Sequence, residues 1–180
     1  MGTRRGKRGK WFETALENVN KMYKYKKIAI IDKIATPINF NTRTGKAFYE
    51  AKSTVDFIGC KSNGQMVAFD AKETELQRFP FDRVSQHQVD YLIDTKQMNC
   101  ESFLLIYFKF NQTCFKIYID DYIRCKRDIG RKSIPYEWFT ENTIEIKSGN
   151  GVAFDYLEYD WYYENNMIIC KMTACISKDI

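Results

Sequence analysis

Phe12, Leu16, Val19 and Tyr23 recur at intervals of four, three and four residues, the spacing of one buried stripe, and predict a helix over 10–23. The period then changes. Residues 27–34 (KIAIIDKI) are dense in β-branched side chains and predict a strand, 41–45 (NTRTG) a polar turn, and 48–49 and 54–60 extended chain. Ser62-Asn63-Gly64 is a strong hairpin signal, with 65–71 (QMVAFDA) as the returning strand. Val84, Val89, Leu92 and Ile93 give 83–97 an imperfect helical face. The most apolar segment, 102–110 (SFLLIYFKF), predicts the centre of a sheet. A strand over 114–119 and a short helix over 120–126 follow. Beyond Thr140 the pattern blurs, with an aromatic helix expected over 154–163 and a late strand over 167–176. The order α-β-β-β-α-β-β is that of an α/β or α+β sheet flanked by helices.

At 180 residues the chain has the length of one domain, and 44% hydrophobic with 16% aromatic residues excludes a disordered composition. No apolar run approaches the roughly 18 residues of a membrane helix, and the basic N-terminus lacks the apolar stretch of a secretory signal. Six cysteines without a CxxC pair, beside the single His87, read as reduced thiols of a cytoplasmic protein and not as a zinc site. Charge is distributed unevenly: residues 1–33 carry +7, 34–140 carry +2 and 141–180 carry −4, for a total of +5. The basic character therefore resides in an arm containing Arg4, Arg5, Lys7, Arg8 and Lys10, suited either to phosphates or to solubility.

Asp70 and Lys72, two apart in a strand, project from one face, with Ala71 turned to the other. The turn at 62–64 brings Asp56 back towards Asp70. Two carboxylates and an ammonium on one sheet surface suit phosphodiester hydrolysis. Hard oxygen ligands hold Mg²⁺ or Mn²⁺, the ion acidifies water, and the lysine offsets charge on phosphorus oxygens. A D-x-K triplet alone is weak, because most such pairs are solvated strand edges. Here Asp70 follows Met66-Val67-Ala68-Phe69, a strand too apolar for a casual surface. The Asp-x(n)-(Asp/Glu)-x-Lys pattern resembles that of the PD-(D/E)xK nuclease superfamily, whose members often add a carboxylate from the first helix. Glu13 fits that place, as does Glu17 one turn later, and the sequence leaves the choice open.

A closer resemblance runs in order through the chain: Gly9, Glu13 and Asn20; Thr36-Pro37-Ile38; Ala47-Phe48-Tyr49; Ser53-Thr54-Val55-Asp56-Phe57-Ile58-Gly59; Phe69-Asp70-Ala71-Lys72-Glu73-Thr74; Phe79-Pro80; His87-Gln88; and 130–135 (GRKSIP). Over about residues 9–160 the chain resembles RecU, the Holliday-junction resolvase family of bacteria and some of their phages. The resemblance implies an α/β fold of the PD-(D/E)xK type, a mixed sheet flanked by helices with a short projecting stalk hairpin. It implies a homodimeric, Mg²⁺-dependent endonuclease (Mn²⁺ being the alternative) that makes paired nicks at a four-way DNA junction. By position, Asp56, Asp70 and Glu13 would be metal ligands, and Lys72 and Gln88 further catalytic residues. Thr54 would sit on the face of Asp56, within reach of the scissile phosphate. DNA contacts are expected from the arm (Arg4, Arg5, Lys7, Arg8, Lys10) and from Arg43 and Lys46 of the stalk.

The expected organisation is an arm over 1–10, a nuclease domain over 11–165 with its stalk at about 38–46, and an extension over 166–180. A recombination protein is a further partner that the arm would suit. Two departures from the family matter: Asp70 stands where Glu is usual, which moves the ion closer or inserts a water, and the stalk is short. Among other residues, His87 is left out of the catalytic set, Arg78 and Arg83 flank Phe79-Pro80-Phe81 and suit either backbone phosphate or a solvated loop, and Glu73 and Glu75 read as surface charges. Tyr156, Tyr159, Trp161, Tyr162 and Tyr163 read as packing. The alternatives are another nuclease of this fold acting on forks or duplex, and a non-catalytic junction-binding recombination factor.

Overall fold

The stripe Phe12, Leu16, Val19 and Tyr23 forms one side of α1 (Lys10–Tyr25), each residue at most 2% exposed. The structure is a computed structural model and describes residues 10–35, 38–40, 43–45, 47–49, 54–157, 161–164 and 167–170. After α1 come β1 (Ala29–Lys33), β2 (Ile38–Phe40), β3 (Ala47–Tyr49), β4 (Phe57–Lys61), β5 (Met66–Thr74), β6 (Arg78–Pro80) and α2 (Gln86–Gln97). Then follow β7 (Glu101–Phe108), β8 (Thr113–Tyr118), α3 (Ile119–Asp128), β9 (Ser133–Pro135), α4 (Tyr136–Asn142), β10 (Ile144–Ile146), β11 (Trp161–Glu164) and β12 (Met167–Cys170).

Six strands form one sheet in the order β1-β4-β5-β7-β8-β10, in which only β5 and β7 run parallel. Their connection crosses over through α2, as a parallel pair requires. Strand β7 is buried along its whole length, because both faces of the sheet are covered. Phe103, Leu105 and Tyr107 join the α1 core, whereas Leu104, Ile106 and Phe108 join the core under α2, α3 and α4. This is the mixed sheet flanked by helices that the sequence led us to expect. The segment expected to form the stalk contributes to an antiparallel ribbon, β2 with β3, pairing Ile38 with Tyr49. A second ribbon, β6 with β9, buries Phe79 and Ile134 in the α2 core.

Three local readings are corrected. Residues 154–157 are irregular, not helical, and 161–164 are a strand paired with 167–170. Phe154, Tyr156 and Leu157 are buried at a spacing that no single helical stripe provides. Instead, α1 grips the segment: the Tyr23 hydroxyl donates to Asp155 Oδ1 (2.7 Å), and the Tyr156 hydroxyl donates to Asn20. Helix α2 starts at Gln86 and not at 83, because Phe81–Arg83 form a separate 3-10 turn before Ser85. The short α4 and β10 escaped the pattern for want of length. Helix α4 buries Phe139 but only spans seven residues. Arg4, Arg5, Lys7, Arg8 and Lys46 lie outside the described residues. Among those described, no helix is long and apolar enough to cross a membrane, and Cys60, Cys100, Cys114 and Cys125 are free thiols.

Gly59 fixes how closely β1 approaches β4. It faces Ile31 in the ladder, and a Cβ there would sit 2.6 Å from the Ile31 Cα and against the Ile30 carbonyl oxygen. Backbone cannot yield as a flexible side-chain tip can. Gly59→Ala is therefore expected to lower stability by about 1–3 kcal/mol in urea unfolding, the usual cost of overpacking.

Candidate active site

Antiparallel pairing sets Phe57 against Phe69, so the next step of that register sets Asp56 against Asp70. Asp56 lies just before β4, where the chain bends. Its Oδ2 accepts the backbone N–H of Ala71 (3.0 Å), while its backbone oxygen accepts the Ile34 N–H (2.8 Å). Asp70 is fully buried on β5. Lys72, two residues on and on the same face, pairs its ammonium with Asp70 Oδ2 and stands 3.9 Å from Asp56 Oδ2. Asp56 and Lys72 keep about a fifth of their side-chain surface exposed, so the cluster opens to solvent on their side.

Gln88 supplies the remaining contact. Its Oε1 accepts both the Ser85 N–H (3.2 Å) and the Ser85 hydroxyl (2.9 Å) at the start of α2. The Ser85 N–H can only donate, so the amide must present its oxygen there and turn its NH₂ outward. That NH₂ donates to Asp70 Oδ1 (2.6 Å). Both Asp70 oxygens are thus held, one by an amide and one by an ammonium. Burial pushes the Asp70 carboxyl up to about 7; Lys72 opposes the rise and the neighbouring Asp56 carboxylate adds to it. Two carboxylates this close, one of them dry, need a cation or a proton between them.

The donor set suits a hard divalent ion. Carboxylate oxygens are its preferred ligands, and Mg²⁺ characteristically takes only one or two of them, completing its shell with water and phosphate. Asp56 and Asp70 meet that requirement. Among the described residues, however, no three His, Cys, Asp or Glu side chains gather around one point.

A family model described as "RecU: Recombination protein U" matches residues 7–159. The chain belongs to the RecU family. Similar curated relatives include the Holliday junction resolvase RecU of Streptococcus pneumoniae strain R6 and of serotype 19F strain G54. Each is 29% identical over 163 residues, covering 84% of this chain and 80% of the relative. The solved structure of Hjc, a Holliday junction resolvase from the archaeal hyperthermophile Archaeoglobus fulgidus, is also similar. It gives a TM-score of 0.47 at 11% identity, covering 73% of this chain and 94% of that one.

Of the residues that carry the RecU resemblance, Asp56, Asp70, Lys72 and Gln88 meet in one cluster. Glu13 does not join it. Helix α1 packs on the opposite face of β5, and Glu13 pairs with Lys33 at 2.7 Å. Glu17 takes the same ammonium at 2.9 Å, so geometry does not separate the two acids. Thr54 is exposed in a bend and not in a strand, so strand alternation does not place it on the face of Asp56. Arg43 is exposed in the turn between β2 and β3, and Lys10 opens α1. Glu73 is no surface charge: β5 continues to Thr74, and Glu73 is buried on the α1 face, paired with Lys109. Arg83 donates to the Glu73 carbonyl (2.8 Å). Ser85 was overlooked, although Ser85-x-x-Gln88 is the sequence signature of a capping box.

The raised Asp70 carboxyl makes stability depend on pH. The folded chain holds this proton up to about pH 7, whereas the unfolded chain releases it near 3.8. This group's contribution is therefore complete below about pH 4 and is lost as pH rises towards 7. Thermal melts of the metal-free protein should show that decline, and Asp70→Asn should flatten it.

Proposed function

We propose that the Asp56, Asp70 and Lys72 cluster hydrolyses phosphodiesters with a bound Mg²⁺, and that the chain thereby resolves four-way DNA junctions. Family membership supports the junction as substrate. The single structural observation behind the chemistry is the meeting of two carboxylates and one lysine at one step of the β4–β5 register. Asp56 and Asp70 would hold the ion; Mn²⁺ offers the same coordination chemistry. When bound, the ion supplies a Lewis acid for the phosphate oxygens and a more acidic water.

The remaining steps belong to the chain's own side chains. Gln88 keeps Asp70 Oδ1 fixed and its lone pairs directed. The Ala71 N–H fixes Asp56 from the side. Lys72 lies on the solvent-open side of the cluster, in position to offset negative charge on a phosphate as the P–O bond breaks. Glu13 or Glu17 would enter only by exchanging Lys33 for the ion. One site makes one cut, so paired nicks call for two copies related by a two-fold axis, in keeping with the near-symmetry of the junction.

The test is cleavage of a mobile four-way junction beside linear duplex, fork and flap DNA, in Mg²⁺, Mn²⁺ and EDTA, with both nicks mapped. Cutting should need the metal, favour the junction and fall on two opposed strands. Asp56→Asn and Lys72→Ala should each slow it by at least about 100-fold while junction binding persists. Normal-rate cutting by Asp56→Asn with Mg²⁺ would refute the site assignment, and a preference for linear duplex would refute the substrate.

A further inference from the structure

A cleft of about 820 Å³ opens between the β6–β9 ribbon, the 81–84 turn and the end of α3. Pro80, Phe81 and Val84 contribute its apolar lining. Arg78, Lys126, Arg131 and Lys132 surround it, all exposed, with Asp82 as the one acid in its wall. Among the described residues, no carboxylate pairs with any of these four cations. Elsewhere on α2 and α3 the cations are matched: Arg124 with Asp121 (3.3 Å), Arg127 with Asp128 (2.6 Å) and Lys96 with Asp120 (4.0 Å). Four like charges around one opening raise the local potential and repel one another until an anion arrives.

The walls are rigidly supported. Arg78 pairs with Pro135 and Pro80 with Ser133 in the ribbon, and the Phe81 N–H donates to the Lys132 oxygen (3.1 Å). Phe79 and Ile134, between those pairs, are fully buried. The start of α2 links the cleft to the carboxylates. Val84 in its wall precedes Ser85, which orients Gln88 on Asp70, and Phe81 and Val84 pack in the α2 core. Long, solvated Lys and Arg side chains around an open groove suit a repeating phosphate backbone. They would not select a small anion, which calls for enclosing, fixed donors.

We propose that this cleft holds the sugar-phosphate backbone of the DNA arm adjoining the strand that is cut, an inference that rests on the junction-resolving reading above. Arg83, engaged with the Glu73 carbonyl, is not needed for it.

The test is binding of a fluorescent four-way junction and of linear duplex, in EDTA, across a salt titration. Arg131→Ala/Lys132→Ala should weaken binding to both DNAs by roughly tenfold near 0.1 M salt. The slope of log affinity against log salt should fall by about one unit per lost phosphate contact. Arg78→Ala/Lys126→Ala, from the other walls, should behave likewise, and Arg124→Ala should match the unaltered protein. Wild-type affinity and slope in both double variants, while the unaltered protein still cuts junctions, would overturn the proposal. Loss of binding in the variants of a protein that cuts no junction would uphold the cleft and refute the function.

Discussion

Everything at the site depends on the register between β4 and β5. Phe57, Phe69 and Phe103 stack across three strands, with ring centroids 4.9 Å apart at both steps and planes within 14° of parallel. Each is fully buried, and Tyr156 leans on two of them. Burying a side chain of this size contributes about 1.5–3 kcal/mol. A slip of one residue would turn every β5 side chain to the other face and carry Asp70 into the α1 core. The aromatic ladder therefore holds a polar cluster one step away from it, in a position that the carboxylates would not choose for themselves.

The two faces of the sheet divide their tasks. On the α1 face, buried charge is closed off: Glu101 pairs with Lys61 and Lys116, and Lys116 also donates to the Tyr156 oxygen (3.1 Å) and lies 4.5 Å from the Phe103 ring centre. Such a set gains little net energy over apolar residues. It does fix the 154–157 segment across the sheet. On the α2 face the carboxylates are left open on one side, and their balance is incomplete without a proton or a cation. A dry Asp70 is costly to ionise, and that cost is the source of the site's appetite for positive charge.

Much of this was legible in the chain. The stripe of α1, the 62–64 hairpin and the apolar β7 follow from periodicity and turn chemistry, which local sequence encodes. Asp70 and Lys72 on one face follow from strand alternation. What escaped were features set by tertiary contact. Residues 154–157 are shaped by Tyr23 and Asn20, more than 130 positions away. Glu73 looked solvent-facing because the end of β5 could not be read from a charged tail, although parallel pairing with β7 continues to Thr74. At Thr54 the assumed strand alternation does not hold, for the opposite reason: β4 starts only at Phe57.

The Asp at position 70, where the resemblance led to an expectation of Glu, can be understood in the same terms. A longer side chain would carry its carboxylate past the sheet surface towards solvent. The shorter one leaves the oxygens within reach of Gln88 and Lys72 but fully buried, which raises the carboxyl towards neutrality. Gln88 then does more than orient. By donating to Oδ1 it favours the ionised form against the desolvation that resists it, and Ser85 keeps the amide from turning over and presenting an acceptor instead. The short Asp70 side chain thus leaves the site dependent on a helix start that the sequence marks with a serine three residues before the glutamine.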